Sequence, residues 1–119
     1  MDEVFGEARL FAAEEFLEIF NDDEELALEV LGSFLRSTES VLEQVRSGRA
    51  VGGGESLFFN VHKIKGSAAN VRAERLSEAA AALEAALANP SARVPDELFD
   101  RLFEAFESFR RHIEDNYQV

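Results

Sequence analysis

Val61-His62-Lys63-Ile64-Lys65-Gly66-Ser67-Ala68-Ala69-Asn70 is the stretch that decides between a helical reading and the rest. Val61, Ile64 and Ala68 recur at three- and four-residue intervals, and Leu57 and Val71 extend the same row in both directions. The row predicts a helix over 55–70 with those five residues on its buried face. At ~100° per residue, His62 falls roughly 140° from the middle of the row and faces water. Gly66, Ala69 and Phe59 fall on the same exposed side, which leaves little bulk on the C-terminal side of the imidazole. Glycine inside a helix costs about 1 kcal/mol relative to alanine, so Gly66 needs a reason, and close approach of another molecule supplies one.

The flanking sequence repeats the helical period. Upstream, Leu10, Phe11, Phe16, Leu17, Ile19 and Phe20 predict an amphipathic helix from Glu7 to Phe20, stopped by Asn21-Asp22-Asp23. Asp22 with Glu25 three residues on has the form of a capped helix start. The helix that follows should bury Leu26, Val30, Leu31, Phe34, Leu35, Leu42 and Val45 and end at Gly48. Arg49-Ala50-Val51-Gly52-Gly53-Gly54 then reads as a loop. A phosphate-cradling loop would need Gly-Lys-Ser or Gly-Lys-Thr after the glycines and a strand before them, and neither is present.

Downstream, the alanine-rich run from Glu74 to Ala88 predicts a helix with Leu76, Ala79, Ala80, Leu83 and Leu87 inward. Asn89-Pro90 breaks it. Pro95 sits where a helix can begin, so Asp96 to about Asn116 forms the last one, with Leu98, Leu102, Phe106, Phe109 and Ile113 inward. The class is all-α: an antiparallel up-down-up-down four-helix bundle with an additional N-terminal helix lying across it. Most of the 11 phenylalanines are expected in its core.

The 119 residues suffice for a single domain spanning 1–119, and 46 % hydrophobic content supports a core despite a net charge of −12. That charge repels nucleic acid and anionic membrane surfaces. With no cysteine there is no disulfide framework and no thiolate metal site. No signal-peptide pattern opens the chain and no apolar run approaches membrane-spanning length, so a cytoplasmic location is expected. The opening methionine and the short tail after the last helix are those expected of a free-standing protein, and one acidic bundle without a second apolar stripe is expected to be a monomer.

His62 is one of two histidines. An imidazole largely neutral at neutral pH has a nucleophilic ring nitrogen that can take a phosphoryl group, and Lys65, one turn on, can neutralise the phosphate. Residues 61–75 carry Lys63, Lys65, Arg72 and Arg75 against Glu74 alone, a net of +3 inside an acidic chain. Spacing by itself leaves an ordinary exposed histidine beside routine surface lysines as an equal alternative. Phe58 falls at the edge of the buried row and Phe59 nearly opposite it, so Phe59 is expected to be partly exposed in an apolar docking patch. His112, after Arg110-Arg111, reads as a helix-end cation. The glutamates lie on solvated helix faces and no His-x-x-x-His pair occurs, so no metal site and no cofactor site is read here.

The run His62-Lys63-Ile64-Lys65-Gly66-Ser67-Ala68-Ala69-Asn70-Val71 resembles the signature of histidine-containing phosphotransfer (HPt) domains, His-x-(Leu/Ile)-Lys-Gly-(Ser/Ala)-(Ser/Ala). The similarity continues through Ala73, Leu76 and Leu83-Glu84, and upstream through Asn21-Asp22-Asp23-Glu24-Glu25-Leu26 with Val30-Leu31-Phe34-Leu35, so it spans about residues 7–116. The resemblance implies His62 as phosphoacceptor, Lys65 as the phosphate-side cation and Gly66 as the residue that clears room for a receiver domain. It also implies partners: response-regulator receivers, which supply the aspartate and the divalent cation, and a sensor histidine kinase, hybrid or not. Phe58, Phe59, Lys63, Ala69 and Arg72 are the expected docking residues. The chain departs from the family at Arg72, where glycine is usual.

Two other function classes set the contrast. A non-catalytic helical interaction module, with His62 incidental, would bind its partner with an affinity indifferent to substitution of His62 and Lys65. A kinase would need a glycine-rich loop in context and a metal-holding Asp/Asn pair, and the sequence has neither, so a phosphoryl carrier without autonomous catalysis is expected.

Overall fold

The computed structural model describes residues 8–51, 55–89, 91 and 93–119. Among them are helices α1 (Ala13–Ile19), α2 (Glu24–Ala50), α3 (Glu55–Asn70), α4 (Glu74–Leu87) and α5 (Asp96–Asn116), and no strand. α3 packs on α2 and α4, α4 on α5, and α1 on α2. Neighbours run antiparallel. The end of α2 meets the start of α5 through Arg49 and Asp96, while Phe34 and Phe109 meet from the opposite ends of the same helices. No helix among the described residues is long and apolar enough to cross a membrane.

The α3 row is buried throughout: Leu57, Val61, Ile64, Ala68 and Val71 join the core with Leu76, Ala79, Ala80 and Leu83 of α4. Alanines at 68, 73 and 80, none with any exposure, let the two helices approach closely. From α5, Leu102, Phe106, Phe109 and Ile113 complete the core, but its first turn is set by Phe99, which is buried, and Leu98 is only half-buried. Phe11, Phe16 and Phe34 are also buried, with the Phe109 ring edge-on to Phe11 and Phe34 at 5.6 Å.

Several boundaries differ from the sequence reading. The first helix is shorter than Glu7 to Phe20 predicts. Residues 8–12 are held against the α3–α4 turn, where Arg75 N–H donates to Arg9 O at 2.9 Å and Ala12 N–H to Arg72 O at 3.0 Å. Arg9 adds its own N–H to Glu74 Oε1 at 3.0 Å and its guanidinium to Glu74 Oε2 at 2.7 Å. Those bonds occupy backbone groups that a helix would need. The Arg9 guanidinium also holds the Glu74 carboxyl below its ordinary value.

The α2 cap is Asp23, whose side chain accepts from Leu26 N–H at 3.2 Å. Asp22 cannot cap, because it and Asn21 are in the left-handed region with φ of 63° and 53°. Ala27 takes the buried position expected of Leu26, which is exposed, and Val30 is half-buried. α2 runs through Gly48 to Ala50, since that glycine lies against α3: a Cβ there would stand 3.4 Å from Leu57 Cδ1. The rest of the expected glycine loop, 52–54, lies outside the described residues, as does Pro90. α4 ends one residue early, with Ala88 as its cap.

Candidate functional site

α3 ends as a Schellman motif. Ala73 N–H donates to Ala68 O at 2.9 Å and Arg72 N–H to Ala69 O at 3.1 Å, with Arg72 in the left-handed position at φ 64°. A residue with a Cβ pays about 1 kcal/mol there, which is why glycine is usual. Arg72 recovers part of that by turning its guanidinium back: Nη1 donates to Ala69 O at 2.9 Å. The expected docking cation is therefore also a helix-end cap, and the turn closes in the ordinary way without glycine.

The closed turn brings α4 back beside α3 and sets Glu84 against His62 and Lys65. Lys65 Nζ donates to Glu84 Oε1 at 2.6 Å, and His62 Nδ1 is hydrogen-bonded to Glu84 Oε2. Glu84 is shielded, with its side chain 14 % exposed, whereas the His62 side chain is 58 % exposed. The Lys65 ammonium first, and the His62 ring second, hold the Glu84 carboxyl below its ordinary value. An ionised carboxylate only accepts, so the proton of this bond sits on His62 Nδ1. A neutral imidazole protonated at Nδ1 carries its lone pair on Nε2, which has no hydrogen-bond partner among the described residues.

The helix surface C-terminal to the imidazole is open at Gly66. A Cβ built on Gly66 would meet nothing within 4 Å, so no atom of the protein itself requires a glycine there. Ala69 and Lys63 are exposed, and Phe59 is 60 % exposed. Phe58 is half-buried and lies nearly parallel to the His62 ring, at 9° and 6.2 Å between centroids. It also lies edge-on to the exposed Phe59 ring, with 6.1 Å between centroids. Of the basic residues expected to form a cationic patch, Lys65 is spent on Glu84, Arg72 on the α3 terminus and Arg75 on Ala8 O at 3.1 Å, while Lys63 has no ion-pair partner among the described residues.

Glu84 is the member of the site that the residue-by-residue reading missed. The signal for it was arithmetic: reflecting His62 through a turn centred on Ala73 lands on Glu84 of the antiparallel helix. His112 falls just short of the last turn of α5. Its half-buried ring packs on Phe11 at 6.2 Å and Tyr117 at 6.3 Å, a packing role rather than a helix-end charge. Among the described residues no three His, Asp or Glu side chains group as a metal site would require.

No curated protein matches the sequence. The structure is similar to that of the HPT domain from an Hpt sensor hybrid histidine kinase of Shewanella, with a TM-score of 0.66 over 89 % of this chain and 95 % of that one. At 20 % identity the likeness speaks to the fold alone. The model of the family described as Hpt domain matches residues 29–115, well over half of the chain and inclusive of α3 and α4. The chain belongs to the Hpt domain family, the histidine phosphotransfer carriers of phosphorelays.

Proposed function

We propose that His62 is the phosphoacceptor of a single HPt domain, taking a phosphoryl group from a receiver aspartate or a sensor kinase and passing it to a response-regulator receiver. The observation that carries this reading is the exposed ring with Nδ1–H held on a shielded carboxylate and Nε2 left without a hydrogen-bond partner among the described residues. In uptake from an acyl phosphate, the Nε2 lone pair attacks phosphorus, the P–O bond to the donor carboxylate breaks, and the carboxylate leaves with that electron pair. The Nδ1 proton stays where it is. The ring becomes cationic, and the Glu84 carboxylate 22 residues along stabilises that charge. The same cationic ring is a good leaving group for the return step to the next aspartate.

Lys65 has a double task in this scheme. In the free protein it neutralises Glu84. Once a dianionic phosphoryl group sits one helical turn away, its ammonium divides between Glu84 and the phosphoryl oxygens, so less of the Glu84 charge is compensated by Lys65 just as the ring becomes cationic. Gly66 and Ala69 leave the space a receiver must enter, Phe59 offers apolar area, and Lys63 offers a cation to an acidic rim. The chain supplies the nucleophile and the docking face, and the partners supply the rest of the chemistry.

The test is phosphorylation with phosphoramidate followed by ³¹P NMR, then addition of receiver domains with magnesium. The wild-type chain gains one phosphohistidine signal, which a receiver discharges. The His62→Gln chain, folded by circular dichroism, gains none. Equal labelling of the two would refute the assignment.

A further inference from the structure

The α3–α4 seam that presents His62 contains a second polar contact. Ser77, half-buried near the start of α4, donates its hydroxyl to the backbone O of Lys65 at 3.1 Å. That carbonyl already serves the α3 ladder, so the bond is not needed to satisfy it. Ser77 and Glu84 lie seven residues apart on α4, which at 3.6 residues per turn puts them on one stripe about 10 Å apart. The two side chains grip the same residue: Ser77 holds the Lys65 main chain, and Glu84 holds the Lys65 ammonium at 2.6 Å together with the His62 ring.

Between these grips α4 is alanine from 79 to 82, with Ala79 and Ala80 buried, and the larger side chains of its buried face, Leu76 and Leu83, stand at the two ends. Alanines permit close approach but interdigitate weakly, and they set axial register less firmly than larger side chains do. A slide of α4 by one residue moves the Glu84 carboxylate about 1.5 Å, enough to lose one of its two charge-assisted bonds. A directional bond from Ser77 to a main-chain atom of α3 resists that slide.

We infer that Ser77 is a positioning residue for phosphotransfer: its hydroxyl fixes the α3–α4 register in which Glu84 meets His62 Nδ1 and Lys65 Nζ together. This rests on His62 as phosphoacceptor and adds to it a residue that touches neither the ring nor the phosphoryl group. Ser77 sets how much of the imidazole population carries its proton on Nδ1, and through that the nucleophilicity of Nε2.

The experiment uses the full chain with Ser77→Ala and Ser77→Thr, phosphoramidate as donor, and ¹⁵N NMR of the histidine rings, all well below the melting temperature. Ser77→Ala is expected to slow phosphorylation of His62 about 5-fold and to lower the fraction of His62 protonated at Nδ1, while Ser77→Thr, which keeps the hydroxyl, stays near wild type on both. A Ser77→Ala chain equal to wild type in rate, or slowed with its His62 signals unmoved, overturns the proposal, as does a Ser77→Thr chain no better than Ser77→Ala. Failure of the wild-type chain itself to label on His62 instead refutes the phosphoacceptor reading and is seen separately.

Discussion

The α2–α5 seam and the α3–α4 seam are both antiparallel helix pairs with cations beside acids, and only one of them carries the proposed site. Along α2–α5, Arg49 donates to Asp96 at 2.8 Å with its guanidinium 4.4 Å above the Phe99 ring, and Arg46 lies 4.5 Å above Phe103. Both arginines are paired within the protein, Arg46 with Glu43 and Arg49 with Asp96, and such exposed pairs contribute little. Along α3–α4 the partners are small, the polar groups converge on Glu84, and one imidazole nitrogen is left over beside empty space. The difference teaches that an ion pair does not mark a functional surface. An unspent valence next to unfilled volume does.

The largest expected effect would collapse both seams together. Phe109 is fully buried and meets Phe34 and Phe11, so Phe109→Ala should cost about 3–5 kcal/mol in a urea unfolding measurement. A loss under about 1 kcal/mol would mean that the α2–α5 seam does not hold the bundle as described. Next is Gly66→Ala. Because a Cβ meets nothing in the free protein, this change should stabilise the fold by about 0.5–1 kcal/mol while slowing transfer to a receiver. Greater stability with unchanged transfer would remove the idea that the hollow belongs to a partner.

The smallest effect is in acid. The Glu84 carboxyl lies below its ordinary 4.5 when folded, so its contribution to stability is present above that value and is lost as pH falls through the lower, folded one. Glu84→Gln should therefore give a shallower loss of stability below about pH 4.5. Glu74 and Glu107, lowered by Arg9 and Arg110, keep part of the slope in place. A Glu84→Gln chain with the wild-type acid limb would show that the carboxylate is not held by Lys65 and His62.

Much of this fold was legible because its signals are local. The Leu57-to-Val71 row, the alanines of α4 and Pro95 before α5 each depend on neighbours a few residues away, and those helices match their predicted bounds to within one residue. What failed was long-range. Residues 8–12 read as helix by their own spacing, and only the Arg9–Glu74 contact, 65 residues apart, shows why they are not. The Asp22 cap failed because nothing in the Asn21-Asp22-Asp23 string reveals which aspartate turns left-handed. At the site, exposure of His62 and Phe59 and the openness at Gly66 followed from the helical wheel. Glu84 did not, because a glutamate among 24 acidic residues acquires a role only once two helices are in register.

The separations of these contacts also order the assembly of the chain in time. Bonds across the α3–α4 seam join residues 12 and 22 apart, whereas the clasp of Arg9 on Glu74 closes a span of 65. Closing short loops costs less chain entropy and happens sooner, so the helical hairpin that houses His62 is the part of the molecule able to nucleate early, and the N-terminal clasp arrives on a surface already built. The proposed phosphoacceptor thus belongs to the kinetically local half of the protein.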